Sequence, residues 1–148
     1  IVNLRSRDNG RTPFPWNQER YGGFSQHTPW LMMGEEYPRI NAADQVGREG
    51  SIYEFYKEMI AFRQEGPCRD TLIYGEIAPL ASSENVIAYR RFTDTETIYC
   101  WFHFGKEAVK ETLPQDHMQT VWSSQKEVYI TENQLVLQPY QAILMRGK

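Results

Sequence analysis

The stretch V-I-A-Y-R-R-F-T-D-T-E-T-I-Y-C-W-F-H-F, residues 86–104, decides the fold of the second half of the chain. Its two outer runs, 86–92 and 97–104, are rich in β-branched and aromatic residues, which favour strands. The polar segment 93–96 between them is typical of a hairpin connection. The pattern therefore predicts two long antiparallel strands, and core packing explains their aromatic residues.

Shorter runs of the same kind continue on both sides of this hairpin, and turn residues separate them. The further predicted strands are 71–74, 111–113, 120–123, 134–137 and 142–145. Because no helical pattern interrupts them, the spacing predicts an antiparallel β-sandwich domain over residues 67–148.

A helix is predicted just before this domain, over residues 51–65. Ser51 and Glu54 form an S-x-x-E capping box, apolar residues follow at helical spacing, and Gly66-Pro67 ends the run. A shorter helix is expected around 42–46, with Asn41 as its cap. The predicted fold class is thus α+β, mainly β.

The first fifty residues have no helical or strand period, and proline and glycine interrupt them repeatedly. Such a length without a pattern is typical of a functional loop, or of a segment whose packing partner is absent. Within it, R-D-N-G-R-T-P-F-P-W, residues 7–16, combines two guanidinium groups, a carboxylate and an aromatic pair. Arginine can fork onto a carboxylate or paired hydroxyls, whereas an Arg–Asp pair can also simply hold a surface loop.

Composition excludes several function classes. The net charge of −3 draws the chain neither to nucleic acid nor to a membrane, and no apolar run approaches the length of a spanning helix. His27, His103 and His117 lack ligand spacing, so we expect no metal and no other cofactor. Cys68 and Cys100 are expected to be reduced thiols, with one disulfide as the alternative. The chain starts without an initiator methionine or signal peptide, which suggests a fragment or a processed chain.

Several segments together resemble one family. R-D-N-G-R-T-P-F-x-W (7–16), G-G-F-S (22–25), T-P-W (28–30), Ile40-Asn41 and the helix S-I-Y-E-F-Y-K-E-M-I-A-F-R (51–63) follow one another in the order and spacing of the oligo-1,6-glucosidase and trehalose-6-phosphate hydrolase branch of the alpha-amylase superfamily, glycoside hydrolase family 13. V-I-A-Y-R-R (86–91) and L-V-L-Q-P-Y-Q-A (135–142) resemble strands of its C-terminal domain. Pro15 and His103 depart from the pattern, since the family usually has Gln and Asn at these positions.

The resemblance implies that residues 1–66 are the last loop and last helix of a (β/α)8 barrel, followed by the β-sandwich. Barrel enzymes carry their active sites on the loops at one end of the barrel. By this resemblance, Arg11 pairs with a carboxylate from the first barrel loops and holds the terminal glucose, with Arg7 supporting it. Phe14 and Trp16 are the candidates for lining the pocket.

The implied parent protein is a retaining alpha-glucosidase that releases terminal alpha-linked glucose from oligosaccharides. The family's catalytic carboxylates lie upstream of the R-D-N motif, so this chain alone is expected to be inactive. Its expected partners are an oligosaccharide, bound through the parent enzyme, and the remainder of the barrel, in the cytoplasm. A stand-alone carbohydrate-binding or non-catalytic β-sandwich domain is the alternative. The linkage stays open between alpha-1,6, alpha-1,4 and a phosphorylated disaccharide.

Overall fold

A computed structural model describes residues 10–147, which divide between Ala61 and Phe62 into two compact units. Between residues 11 and 61, the first unit consists of turns, the short 3-10 segment Arg20–Gly23 and most of a helix. The second unit consists mainly of antiparallel strands with one short helix. Neither helix of the described part of the chain is long and apolar enough to cross a membrane.

The second unit contains eight strands in two antiparallel sheets. A five-stranded sheet has the order β1-β2-β3-β8-β5, and a three-stranded sheet has the order β4-β7-β6. The strands are β1 Glu76–Pro79, β2 Val86–Phe92, β3 Thr97–His103, β4 Val109–Thr112, β5 Gln119–Ser123, β6 Tyr129–Thr131, β7 Gln134–Leu137 and β8 Ala142–Arg146. This arrangement confirms the predicted antiparallel β-sandwich.

The predicted hairpin is the centre of the larger sheet. Strands β2 and β3 pair from Val86 opposite His103 to Phe92 opposite Thr97. Thr93 closes the turn, because its N–H donates to the Glu96 carbonyl (2.9 Å) and its hydroxyl accepts the Glu96 N–H (3.2 Å). The short polar turn between the two runs thus fixes their pairing and register.

One hydrophobic core lies between the two sheets. Its buried members alternate along the strands, as expected for one face of a pleated sheet. They are Val86, Ala88, Tyr99, Trp101, Ile143 and Met145 from the larger sheet, Leu135 and Leu137 from the smaller one, and Leu113. The Tyr99 and Trp101 rings stack with centroids 6.1 Å apart. Both faces of this sandwich core therefore come from the second unit itself.

A second cluster covers the other face of the larger sheet. Ile98, Cys100 and Leu144 pack there against Cys68 and Leu72, which belong to the short helix region α2, Arg69–Tyr74. Both cysteines are free thiols, and burial raises the pKa of Cys100 to about 11. A buried thiol that stays protonated is a packing group rather than a nucleophile.

The strand predicted at 71–74 is wrong, because these residues form the helix α2. A run of four residues with only three hydrophobic members does not distinguish a strand from a buried helical turn. The tertiary context decides for the helix: the Arg91 guanidinium donates to the carbonyls of Thr71 (3.2 Å) and Gly75 (2.7 Å) at its C-terminal end. A cation there also favours the helix dipole. The short strands β1 and β6 were not predicted.

The predicted helix at the end of the first unit is confirmed as α1, Ile52–Glu65. The Ser51 hydroxyl accepts the Glu54 N–H at 3.2 Å, as the capping box requires. The Glu54 carboxylate instead accepts the N–H of Gly47, at 2.7 Å. None of the helix residues is buried, and Ile52, Tyr56 and Ile60 are more than half exposed.

The shorter helix expected at 42–46 is wrong. These residues form turns, in which Val46 donates to the Ala42 carbonyl at 3.1 Å. Gly47 follows with a φ of 75°, so the chain leaves the helical region after one turn. The cap itself is present, because the Asn41 side chain accepts the Asp44 N–H at 3.1 Å.

Two isoleucines in the same sheet test where the stability of the second unit comes from. Ile143 is fully buried in the sandwich core, whereas Ile87 is 56% exposed. Ile143→Ala should lower the free energy of unfolding by about 2–5 kcal/mol, because it leaves a cavity between the sheets. Ile87→Ala, the control, should change it by less than about 1 kcal/mol. Denaturant unfolding of both variants measures this, and equal losses would contradict the assignment of the core.

Candidate functional site

Backbone hydrogen bonds fix the segment that follows Arg11. The Trp16 N–H donates to the Gly22 carbonyl at 2.8 Å, and the Ala43 N–H donates to the Trp16 carbonyl at 2.9 Å. The Ala42 N–H donates to the Pro15 carbonyl, also at 2.9 Å. Residues 15–16 are therefore held between two turns that are distant in sequence, and Pro15, one of the departures from the family pattern, fits into this arrangement.

The conformation of the G-G-F-S segment depends on glycine at position 22. Gly22 has a φ of 62° and is buried in the short 3-10 segment Arg20–Gly23. A Cβ there would lie 2.6 Å from the Met33 Cε and 3.2 Å from the Pro15 Cα. A larger residue would be strained in its backbone and would also collide with its neighbours.

Asn41 organises the other turn. It is 2% exposed, and its amide nitrogen donates to the Tyr37 carbonyl (3.1 Å) and to the Asp44 carboxylate (2.7 Å). A buried amide with these partners is a structural group, because its donors are satisfied within the turn. The Ile40-Asn41 motif thus shapes the unit that carries Arg11, and Asp44 serves the same turn.

Arg11 lies beside an exposed tryptophan. The Arg11 Cζ is 5.6 Å from the centroid of the Trp30 ring, which is within cation–π range, and Trp30 is 82% exposed. The sequence indicated Arg11 as a binding residue and Trp30 as part of the T-P-W motif. Cation–π partners carry no fixed spacing along a chain, so the pair had no signal in the sequence. Arg7 lies outside the described residues.

Phe14 and Trp16 form a second pair. Their ring centroids are 4.6 Å apart at an interplanar angle of 61°, an edge-to-face contact, and both side chains are about half exposed. Phe14 also lines an apolar groove of about 600 Å³, together with Pro15, Ile40, Ile52, Tyr53, Tyr56 and Ile60. Such a lining suits apolar side chains better than the hydroxyl groups of a sugar.

The spacing of the three histidines predicts no metal site. The structure gives His103 a packing role: it is 5% exposed, and its Nδ1–H donates to the Gln138 carbonyl at 2.8 Å. Because a carbonyl only accepts, this contact fixes the proton on Nδ1. His103, where the family usually has Asn, therefore joins β3 to the segment before β8.

Comparison with known proteins decides the family. Residues 1–75 match the family described as alpha amylase, catalytic domain, which is half of the 148-residue chain. The chain belongs to the alpha-amylase family. The resemblance noted in the sequence is thereby confirmed, and the matched residues include the loop of Arg11 and the whole of α1.

Relatives match this alpha-amylase family chain almost from end to end. It is 29% identical to an alpha-glucosidase of Schizosaccharomyces pombe over 99% of its length and 26% of that protein's. It is 26% identical to an oligo-1,6-glucosidase of Bacillus cereus over 99% of its length and 27% of that protein's. The crystal structure of the trehalulose synthase MutB from Pseudomonas mesoacidophila MX-45 is similar with a TM-score of 0.84 and 36% identity, over 99% of this chain and 27% of that one. The chain thus spans about a quarter of the length of these relatives.

Gly22→Ala should loosen the turn that holds Trp16. Left-handed backbone costs a residue with a Cβ about 1–2 kcal/mol, so the Trp16 amide, which donates to Gly22, should exchange with solvent about tenfold faster. Gly34→Ala is the control, because a Cβ at position 34 meets nothing within 4 Å. Hydrogen exchange followed by NMR measures both, and an unchanged Trp16 rate in Gly22→Ala would show that the turn does not depend on glycine.

Proposed function

We propose that the chain is the C-terminal part of a retaining alpha-glucosidase that releases terminal alpha-linked glucose from oligosaccharides. The observation that carries the proposal is the match over 99% of the chain to an alpha-glucosidase and an oligo-1,6-glucosidase. In this proposal the first unit completes one side of the substrate pocket, the sandwich follows it, and the remainder of the barrel supplies the catalytic carboxylates. The two free, buried cysteines fit a cytoplasmic enzyme.

The exposed apolar face of α1 supports the proposal that this helix packs against the remainder of the barrel. Ile52, Tyr56 and Ile60 line the apolar groove and stay more than half exposed. A contiguous apolar patch that stays exposed on a folded unit marks a surface that packs against another protein segment. The family match of residues 1–75 to a catalytic domain supports the remainder of that domain as the occupant of the groove.

The surroundings of Arg11 support a role in binding the sugar. Pro13, two residues later, is buried, and the backbone beyond it is held by the Pro15 and Trp16 hydrogen bonds. A side chain on an anchored loop loses less entropy when it binds. The contact with Trp30 uses the charge of the guanidinium and leaves its planar N–H fork for a carboxylate and sugar hydroxyls.

Three of the described acidic groups of the first unit have structural partners. Glu36 pairs with Arg39 (2.6 Å), Asp44 accepts from Asn41, and Glu54 accepts from Gly47. A retaining mechanism needs two carboxyl groups about 5 Å apart on either side of the scissile bond. These three acids stabilise turns and a helix end. Their structural roles support the proposal that the remainder of the barrel supplies the catalytic carboxylates.

A second candidate parent is a synthase that rearranges sucrose. The identity to MutB, 36% over 99% of the chain, exceeds the 29% identity to the yeast alpha-glucosidase. An isomaltulose synthase variant from Erwinia rhapontici NX5, solved with sucrose, is also 32% identical over 95% of the chain. Product analysis with sucrose separates the candidates, because a hydrolase releases free glucose and a synthase releases an isomeric disaccharide.

Arg11→Ala in the intact parent enzyme tests the proposed function. Loss of one member of a buried charged pair should raise the barrier in kcat/KM by about 2–4 kcal/mol. Arg11→Lys should also be harmful, because lysine lacks the planar fork. The measurement is p-nitrophenol release from the alpha-glucoside, together with the thermal midpoint, which should change little. The isolated chain is the blank and should release none.

Full activity in Arg11→Ala, or a loss explained by a lower thermal midpoint, would contradict the assignment of Arg11 to the sugar pocket. Turnover by the isolated chain on the scale of about 1 s⁻¹ would contradict the view that the carboxylates lie elsewhere.

A further inference from the structure

The tryptophan beside Arg11 is held at a defined place although its ring is exposed. The Thr28 and Tyr21 hydroxyls are 2.8 Å apart, and Arg20 donates to the same Tyr21 hydroxyl at 2.7 Å. Thr28 precedes Pro29, which restricts the backbone of both residues. Trp30 follows directly, so the chain presents its indole from a stiffened segment that is anchored two residues earlier.

Arg11 approaches this ring from a second anchored segment. Pro13 is buried, and the Pro15 carbonyl is bound by Ala42. The contact at 5.6 Å therefore joins two fixed segments through two exposed side chains. Arginine has many rotamers, and a flat electron-rich surface beside it reduces the number that it visits.

We propose that Trp30 is a positioning residue, which pre-orders the Arg11 guanidinium for the terminal sugar. The proposal rests on the proposed function of Arg11. The ring attracts the cation without neutralising it, so the N–H groups remain able to fork onto a carboxylate and hydroxyls. Because the arginine is ordered before the sugar arrives, less conformational entropy is lost on binding.

The chemistry of the contact predicts a graded response to substitution. Tryptophan is the best aromatic partner for a cation, phenylalanine is weaker, and leucine offers no π face. Trp30→Phe should therefore retain part of the effect and Trp30→Leu none. Since pre-ordering helps the ground state and the transition state equally, KM should rise while kcat stays unchanged.

The experiment uses the intact parent enzyme with p-nitrophenyl alpha-glucoside. Trp30→Leu should raise KM roughly threefold to thirtyfold, the range that cation–π energies span between exposed and desolvated sites. Tyr74→Leu is the matched control, because Arg69 lies 5.8 Å from the Tyr74 ring and that tyrosine is 71% exposed. The Tyr74→Leu variant also removes an arginine–aromatic contact, but one that is distant in sequence from Arg11, and it should leave KM unchanged.

A double-mutant cycle separates positioning from direct contact. In an Arg11→Ala background, Trp30→Leu should cause no further rise in KM. An equal rise in both backgrounds would overturn the positioning role while Arg11 keeps its assignment. If Arg11→Ala leaves kcat/KM unchanged, the function proposed for Arg11 fails and the positioning role with it. If Trp30→Leu does not fold, Trp30→Phe in both backgrounds decides: its smaller KM effect must also vanish without Arg11, and persistence overturns the proposal.

Discussion

Hydrogen bonds, rather than apolar burial, hold the described part of the first unit together. Gly22, Ala42 and Ala43 bind the backbone of residues 15–16, and Asn41 ties the second turn. Apart from Pro13, the buried apolar side chains of the described chain all lie at Cys68 or later. The described part of the first unit therefore has a defined backbone but no hydrophobic core, and its large apolar side chains stay on the surface. The proposal that α1 packs against the remainder of the barrel follows from this imbalance, because those side chains need a partner.

Apolar burial, in contrast, holds the second unit together. Its two sheets bury alternating residues between them, and α2 covers the other face of the larger sheet around Cys100 and Leu144. No partner is needed to explain the burial of Trp101 or Met145, which are at most 2% exposed. In our proposal, the chain therefore joins a self-sufficient sandwich to a unit that carries the recognition residue Arg11 and packs against the remainder of a barrel. In such a division the sandwich contributes stability and the loops contribute specificity.

The sequence was sufficient to predict the elements that a local pattern of residues determines. The two strand-forming runs and the polar turn in residues 86–104 predicted the central hairpin, and the capping residues predicted the start of α1. It failed at 71–74, where a short apolar run fits helix and strand alike and Arg91 decides between them. In the candidate site, Arg11 was indicated by its motif, whereas its contact with Trp30 arises only when two loops meet. The roles of Gly22 and Asn41 likewise depend on neighbours that no local pattern reveals.

Our proposal requires that the remainder of the catalytic barrel covers the apolar face of α1. Hydrogen exchange read by mass spectrometry tests it directly, by comparing residues 52–60 in the isolated chain and in the intact parent enzyme. The account predicts that these amides exchange at least about tenfold more slowly in the parent, while residues 97–103 in β3 exchange equally in both. Equal exchange of residues 52–60 in the two proteins would contradict the proposal, because α1 would then have no additional packing partner in the parent enzyme.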